Sequence, residues 1–419
     1  KAYRYGEKFD HKDVAPIVTV GENTHILELW HGPTCAFKDM ALQMLPYLLT
    51  ASLKKTGETK SVLILVATSG DTGKAALEGF CDVDHTKILV FYPQNGVSSV
   101  QELQMTTQSG ENVGVCAVVG NFDDAQTGVK AIFSDEALRE ELAQQGYFLS
   151  SANSINWGRV LPQIVYYISA YCDLLSSGKI KMGQRVNCCV PTGNFGNILA
   201  AFYAKQMGIP LGKLLCASNR NNVLTQFLKT GVYDRNRPFY NTPSPSMDIL
   251  ISSNLERLLY LLTGSDEEVG GYMQSLAKTG RYEVSQTLKK HMQSEFACGD
   301  CDNEETLATI RRVYDKTGYL MDTHTAVGYH VLEGYRAQTG DDAPAILAST
   351  ASPFKFCDSV LTALGQTKLA QGLDLIDQLE QVSGVKAPHP LASLRGKAVR
   401  FDEVTEKEDM QSVVRAMLR

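Results

Sequence analysis

Short apolar runs alternate with helix-like segments through most of the chain, and this alternation limits the folds open to it. Runs typical of buried strands lie at 62–67, 88–92, 113–119, 186–190, 214–217 and 345–348. Helix-like segments lie at 74–80, 98–108, 124–144 and 198–207. Strands separated by helices usually become parallel neighbours. The pattern therefore predicts an α/β protein whose parallel sheets are flanked by helices.

Composition and charge exclude several classes of protein. The chain has 419 residues, enough for two or more domains, and its 44% hydrophobic and 21% charged residues are typical of a globular protein. The formal net charge is −6 and no long basic run occurs, so we expect no nucleic-acid partner. No apolar run is long enough to predict a membrane span.

The ten cysteines point to a reducing compartment and not to a disulfide framework, so a cytoplasmic location is expected. Cys188 and Cys189 are adjacent within a strand-like run. Cys298 and Cys301 form one CxxC pair, which supplies two of the four ligands that a structural zinc ion needs. His291 could add a third ligand, but a polar loop explains the segment better, and no metal is predicted.

A lysine begins a predicted apolar helix in HGPTCAFKDMALQ, residues 31–43. The positive end of the helix dipole disfavours a cation at this place. Lys38 is either solvated through its long stem or meant to work as a neutral or covalently modified amine, as Schiff-base lysines do.

Two glycine-rich turns each follow a predicted strand and begin a helix. TSGDTGK, residues 68–74, offers backbone amides and the hydroxyls of Thr68, Ser69 and Thr72, which suit a carboxylate. A plain turn capped by Asp71 explains this first turn equally well. PTGNFGN, residues 191–197, is the second turn, and its glycines let backbone amides approach a phosphate closely. Both turns belong to the carboxyl ends of strands, where ligands of α/β sheets gather.

Three further segments carry polar groups. ANSINWGR, 152–159, includes Arg159, which suits a phosphate or a carboxylate, although a capped helix start with a surface arginine explains the segment better if it stands alone. LASTASPFKF, 347–356, places Thr350 at a strand end, where its hydroxyl suits a ring nitrogen. His324 in DTHTAVGYH, 322–330, is interpreted as a structural group. The lysine, the two anion turns and the hydroxyl together are what pyridoxal 5′-phosphate (PLP) needs.

The motifs HGPTCAFKDMALQ, TSGDTG, ANSINWGR, VPTGNFGN, SMDILISSNLERLL, DTHTAVG and LASTASP closely resemble, in order, those of the threonine synthase family. The resemblance runs from about residue 28 to residue 358. It implies PLP fold type II, the tryptophan synthase β-like fold, with two α/β domains and the cofactor between them. The smaller domain is predicted at 39–159, and the larger at 1–38 and 160–419.

The resemblance also implies roles for particular residues. Lys38 would hold PLP as a Schiff base, Asp71 would lie near its 3′-oxygen, and Thr350 would face its ring nitrogen. The PLP phosphate would sit on Gly193, Asn194, Phe195, Gly196 and Asn197. Thr68, Ser69 and Thr72 would bind the substrate carboxylate, and Asn153, Ser154 and Arg159 the substrate phosphate.

The implied activity is that of a PLP-dependent carbon–oxygen lyase. O-phospho-L-homoserine would lose phosphate by β,γ-elimination and gain water at Cβ, which gives L-threonine. ASPF at 351–354 departs from the family's alanine-histidine-proline, and a further N-terminal segment of the native protein is expected before residue 1.

Two alternatives stay open. A phospho-lyase would release a 2-oxo acid, ammonia and phosphate, and a non-catalytic homologue would only bind an anionic metabolite. A monomer or a homodimer is expected.

Overall fold

The computed structural model describes residues 2–418, which form two mostly parallel sheets covered by helices. The larger sheet has six strands, and only β1 runs antiparallel to its neighbour. From edge to edge the strands are β1 (Ile17–Thr19), β2 (Thr24–Glu28), β12 (Ala345–Ser349), β7 (Val186–Pro191), β8 (Leu211–Ser218) and β11 (Phe296–Asp300).

The smaller sheet has five strands, all parallel. From edge to edge they are β13 (Val404–Thr405), β5 (Val113–Val118), β4 (Thr86–Pro93), β3 (Ser61–Ala67) and β6 (Tyr147–Ser151). Four of these five strands lie within residues 39–159, whereas β13 lies near residue 405. The predicted domain boundaries, 39–159 for the smaller domain and 1–38 with 160–419 for the larger, remain a prediction. A separate antiparallel pair is formed by β9 (Val232–Asp234) and β10 (Arg281–Glu283).

Helices connect the strands and cover both sheets. Those up to β7 are α1 (Lys38–Leu42), α2 (Leu45–Thr56), α3 (Asp71–Phe80), α4 (Ser99–Thr106), α5 (Phe122–Ser134), α6 (Glu136–Gln144) and α7 (Trp157–Ser176). The others are α8 (Gly196–Gln206), α9 (Val223–Thr230), α10 (Leu255–Thr263), α11 (Asp266–Thr279), α12 (Gln286–Glu295), α13 (Asn303–Thr317), α14 (Thr323–Thr339), α15 (Cys357–Ala363), α16 (Asp374–Ser383), α17 (His389–Ala392) and α18 (Met410–Ala416). Within residues 2–418, no helix is long and apolar enough to cross a membrane.

The central strands are apolar along their whole length because helices cover both faces of each sheet. Every residue of β7 is buried, and so is every residue of β3 after Ser61. This is why the sequence shows these strands as continuous apolar runs, with no alternation of polar and apolar residues. All six predicted strands are present, and the predicted α/β fold with parallel sheets is confirmed.

Two predicted helices are each divided in the structure. The segment 124–144 forms α5 and α6, because Asp135 is extended and its carboxylate accepts a hydrogen bond from the backbone N–H of Leu138. The apolar run that begins after Lys38 forms α1 and α2, and Pro46 stands in the first turn of α2. Proline suits a first turn because its missing N–H has no partner there in any helix.

Candidate active site

Lys38 is the first residue of α1, and its amine lies in a cleft at the carboxyl ends of β3 and β7. Its Nζ donates to Asp71 Oδ2 at 3.0 Å and to Ser246 Oγ at 3.2 Å. The residue is 7% exposed. Burial lowers the pKa of Lys38, and Lys355 and Arg159 lower it further, while Asp71 opposes the change. The neutral amine is therefore easier to form here than in water.

Asp71 is an anion held between two lysines. Its Oδ1 lies 2.7 Å from Nζ of Lys355 and accepts a hydrogen bond from Gln101 Nε2 at 2.8 Å. Burial alone would raise the pKa of Asp71, but Lys355 and Lys38 hold it well below its usual range. Lys355 was not predicted as a site residue; it is completely buried and follows the strand end at Thr350 by five residues. Its position in an apolar segment beside a turn is the one feature of the sequence that could have indicated a role in the site.

The first turn uses two of its amide groups internally. Thr68 Oγ1 accepts hydrogen bonds from the backbone N–H groups of Gly70, at 3.0 Å, and Gly73, at 2.9 Å. Thr68 therefore caps α3, and Asp71, which the alternative interpretation made the cap, points to the lysines instead. Gly70 has φ +121°, which an L side chain rarely adopts. Ser69 and Thr72 line the cleft.

The carbonyls of the second turn are bonded by side chains from 252–254, and its residues line the cleft. Phe195 adopts the left-handed conformation just before α8, with φ 62°. Ser252 Oγ donates to the carbonyl of Gly193 at 3.0 Å, and Asn254 Nδ2 donates to that of Asn194 at 3.0 Å. A Cβ on Gly193 would lie 2.9 Å from the carbonyl oxygen of Ser246, so only glycine fits. All five residues from Gly193 to Asn197 line the cleft.

Two buried donors beside the second turn have no partner among the described residues. They are Asn197 Nδ2 and Arg159 Nε. Asn197 is oriented by the hydroxyl of Tyr166, which donates to its Oδ1 at 2.6 Å, and Arg159 by the carbonyl of Ala152, at 2.7 Å. Burial lowers the pKa of Arg159 to about 10, which leaves it charged at neutral pH. Unpaired buried donors are costly unless a ligand satisfies them.

The segment 252–254 joins the second turn to the predicted phosphate residues. Ser154 Oγ lies 2.9 Å from Ser253 Oγ, and Ser253 Oγ donates to Asn194 Oδ1 at 3.1 Å. Asn153 lies on the other side and donates to the carbonyl of Ala67 at 2.9 Å, which ties it to the end of β3. Sequence analysis gave 252–254 no role, although the segment belongs to one of the matched motifs.

His324 lines the cleft together with Thr350. Its Nδ1 lies 2.8 Å from Asp322 Oδ2, and its Nε2 accepts the backbone N–H of Ser246 at 3.3 Å. The histidine thus positions the residue that touches Lys38. Its interpretation as a satisfied structural group agrees with these bonds, but the location within the cleft was not predicted.

The geometry fits PLP and a second anion. Every predicted site residue lines the cleft except Asp71, which contacts it through Lys38. The cleft region contains three buried cationic side chains, Lys38, Arg159 and Lys355, and the carboxylate of Asp71 pairs with the two lysines. Such an excess of positive charge and unpaired donors favours anionic ligands, and the Lys38 amine is available for a Schiff base.

Comparisons with known proteins agree with this class of site. Residues 19–350 match the family model of pyridoxal-phosphate dependent enzymes, and residues 325–416 match the model for the C-terminal part of threonine synthase. The first match covers most of the chain and includes both glycine turns. The fold and the site thus define a PLP-dependent enzyme, and the predicted cofactor is confirmed.

Several relatives are similar over nearly the whole chain. Human threonine synthase-like 1 is 44% identical over 368 residues, 86% of this chain and 49% of that protein. The threonine synthases of Saccharomyces cerevisiae and Pseudomonas aeruginosa are each 39% identical; the matches cover 87% and 92% of this chain, and 74% and 80% of those proteins. The chain spans about half the length of the threonine synthase-like 1 proteins that it matches.

Solved structures lead to the same family. PLP-bound threonine synthase from Brucella melitensis superposes with a TM-score of 0.85 at 39% identity, and yeast threonine synthase with 0.86 at 36%. Both alignments cover 100% of this chain and 83% of the other. The chain belongs to the threonine synthase family of PLP-dependent enzymes, and the predicted fold type II is confirmed.

Proposed function

We propose that this protein is a threonine synthase, which converts O-phospho-L-homoserine and water into L-threonine and phosphate. The observation that carries the proposal is the buried Lys38 amine between two glycine turns, in a cleft with an excess of positive charge. The substrate carries a carboxylate and a phosphate, and the PLP phosphate adds a third anionic group. Arg159, the unpaired Nδ2 of Asn197 and the amides and hydroxyls of the two turns would bind these anionic groups.

We assign PLP to Lys38, which would bind it covalently, and its phosphate to Gly193, Asn194, Phe195, Gly196 and Asn197. Thr350 would face the ring nitrogen, and Asp71 would lie near the 3′-oxygen. When bound, PLP withdraws electrons from the bonds at Cα and so makes the protons at Cα and Cβ acidic. The unpaired Nδ2 of Asn197 supports the phosphate assignment because it offers a buried donor next to the glycine turn.

Lys38 would also move protons. Its free Nζ would accept the protons that leave Cα and Cβ of the substrate, and it would return one to Cγ, from which phosphate leaves, and one to Cα. A lowered pKa suits this task because the amine must be neutral to accept a proton. Asp71 keeps one charged partner, Lys355, whatever the protonation state of Lys38.

The substrate groups have separate partners. Ser69 and Thr72, with Thr68 behind them, would hold the carboxylate, and Asn153, Ser154 and Arg159 would hold the leaving phosphate. The carboxylate would therefore sit at the end of β3, and the leaving phosphate between the end of β6 and Arg159, which lies beside the second turn. Closure of the cleft between the two sheets would exclude water from the bound substrate until the step in which water adds to Cβ.

Location and assembly belong to the same proposal. The ten cysteines all lie within the described residues and are free thiols, which supports a reducing cytoplasmic location. We propose a monomer or a homodimer in solution.

Product analysis tests the function. The purified protein, loaded with PLP, is incubated with O-phospho-L-homoserine, and phosphate, threonine and 2-oxobutyrate are measured. We expect phosphate and threonine in equal amounts, and neither product with the Lys38→Ala variant. Lys229→Ala serves as a matched control, because that lysine is half exposed and pairs only loosely with Asp300, at 3.9 Å.

Other outcomes would each support an alternative. Phosphate with 2-oxobutyrate and ammonia would mean a phospho-lyase, in which water does not reach Cβ before the intermediate leaves. No phosphate from a protein that binds PLP would exclude this substrate. Absence of any PLP absorbance band would favour the non-catalytic homologue.

A further inference from the structure

A second group of reactive side chains lies outside the cleft, where β11 runs into α13. Cys301 follows the end of β11, Glu305 lies in the first turn of α13, and His330 faces them from α14. Their donor atoms, one sulfur, one carboxylate oxygen and one ring nitrogen, all lie within 4.8 Å of one another. His330 Nε2 is 3.5 Å from Glu305 Oε2. Three different elements thus bring a thiol, a carboxylate and an imidazole to one point.

The cluster lies in a strongly acidic part of the surface. Residues 300–305 read DCDNEE, which places four carboxyl groups in six residues. Burial and the carboxylates of Glu305, Asp302 and Asp300 raise the pKa of the Cys301 thiol to about 12. A nearby divalent cation would reverse this effect, because it stabilises the thiolate and offsets the acidic groups.

Local structure positions two of the three ligands, Glu305 and Cys301. The side chain of Glu305 accepts the backbone N–H of Asp302 at 3.2 Å and so completes a capping box at the start of α13. A carboxylate has further lone pairs for a cation. Cys301 is 1% exposed and lies 3.3 Å from the hydroxyl of Thr306. Glu305 and His330 are partly exposed, so an ion can enter from solvent and keep water as a fourth ligand.

We propose that Cys301, Glu305 and His330 form a binding site for a zinc-like divalent cation. Tetrahedral zinc, with bonds of about 2.0–2.3 Å, holds its donor atoms roughly 3.3–3.8 Å apart. The separation of His330 and Glu305 already falls in this range. The thiol has to move by no more than about 1 Å to reach the same range, which a small side-chain rotation covers. Sulfur and nitrogen donors favour zinc or cobalt over magnesium or calcium, which prefer oxygen.

The proposal differs from the sequence interpretation, which predicted no metal. Cys298 and Cys301 suggested a zinc pair with His291, and that possibility was set aside in favour of a loop. In the structure the Sγ of Cys298 points to the carbonyl of Thr225, away from the cluster. The ligands that converge on Cys301 come from later in the chain. His330 lies six residues after His324 on α14, about 9 Å along the helix axis, so the two sites share one helix.

Cobalt binding tests the site without any use of activity. Holoenzyme that has been stripped of metal is titrated with Co²⁺, and the visible spectrum is recorded against the metal-free holoenzyme. Tetrahedral cobalt with a thiolate ligand absorbs strongly, and Zn²⁺ bleaches the bands by competition. We expect saturation at one ion per chain. Cys301→Ser and His330→Asn should each weaken binding at least tenfold, and Glu305→Gln should weaken it less.

Cys298→Ser is the matched control, because it removes the other cysteine of the CxxC pair and should leave the cobalt spectrum unchanged. His330 is partly exposed, so His330→Asn keeps the test valid if the buried Cys301→Ser variant does not fold. The proposal is overturned if no saturable cobalt bands appear, if they survive in the His330→Asn protein, or if they vanish in Cys298→Ser.

Discussion

The two glycine turns have similar sequences and similar positions in the fold, but they offer different chemical groups to the cleft. Each follows a buried parallel strand and begins a helix, and each borders the same cleft. In the first turn Thr68 accepts two of the amide hydrogens, those of Gly70 and Gly73, and the turn presents a carboxylate, Asp71, to two lysines. In the second turn the side chains of Ser252 and Asn254 bond the carbonyls, and a buried donor of Asn197 has no partner among residues 2–418.

This difference shows that a strand, a glycine turn and a helix start do not by themselves define an anion site. What matters is whether side chains of the protein already use the donors. The first turn supplies an anion that holds Lys38, and the second supplies donors for a ligand's phosphate. Mutations in the two turns should therefore change different properties: mainly stability for the first turn, and PLP binding as well for the second.

Asp71→Asn should have the largest effect on stability. The variant leaves Lys38 and Lys355 as buried ammonium groups without a carboxylate partner, and removal of one member of a buried ion pair costs about 3–5 kcal/mol. We expect this loss in the free energy of unfolding, measured with urea at pH 7. The double variant Asp71→Asn with Lys355→Met should recover part of it, since it removes one of the two unpaired charges. A double variant no more stable than the single one would contradict the ion-pair account.

The glycines of the two turns should respond differently to alanine. Gly70→Ala puts a side chain at φ +121° and within 2.5 Å of the Gln101 side chain, so we expect a loss of about 3 kcal/mol in the free energy of unfolding. Gly193→Ala pushes against the backbone at Ser246, which should cost about 1–2 kcal/mol and weaken PLP binding at least tenfold. Absorbance titration with PLP measures the second effect. Equal loss of PLP affinity in both variants would remove the distinction between the turns.

A change in pH should separate the Asp71 ion pairs from a nearby one. His31 contacts Asp10 at 2.6 Å and Glu28 at 2.9 Å; burial alone would lower its pKa, but these two carboxylates raise it to about 9. Because the folded pKa lies above the unfolded value, this stabilisation is present below about pH 6.5 and is lost as the pH rises through 9. The contribution of Asp71, whose pKa is lowered, should stay constant over that range.

Unfolding with urea between pH 6 and 9.5 tests this expectation. Over this range wild type should lose about 2–3 kcal/mol more than His31→Asn, and both should also lose stability above about pH 8.5 because the thiols ionise more easily in the unfolded chain. His11→Asn is the control, because that histidine is more exposed and lies 3.8 Å from Asp13. An equal pH dependence in wild type and His31→Asn would assign the effect to other groups.

Ser253→Ala should have the smallest effect. It removes the hydroxyl that joins Ser154 to Asn194, which is worth about 1 kcal/mol in the free energy of unfolding. Because this bond links a predicted substrate residue to the second turn, we expect KM for O-phospho-L-homoserine to rise more than kcat falls. Ser265→Ala, which removes a helix cap away from the cleft, should destabilise the protein by a similar amount and leave KM unchanged. A change in KM that is the same for both variants would contradict the assignment.

The sequence was sufficient for the fold and for most of the cleft, because strands buried on both faces appear as continuous apolar runs and turn motifs mark their ends. It was insufficient for contacts between distant segments. Nothing local to Lys355 indicates that it pairs with Asp71, which is 284 positions earlier in the chain. The zinc-like cluster shows the same limit, since His330 reaches Cys301 only through the packing of α14 on α13. The sequence also did not show that 124–144 forms two helices, because the break between α5 and α6 depends on one capping side chain, Asp135.

The most direct test of the account is a crystal structure of the protein after it has been soaked with PLP. The account predicts density that joins the cofactor to Lys38, with the phosphate on the backbone amides of residues 193–197 and Asp71 still paired with Lys355. A phosphate bound instead by residues 68–73, with Asp71 displaced from the lysines, would contradict the assignment of the lysine-binding carboxylate to the first turn and of the phosphate donors to the second.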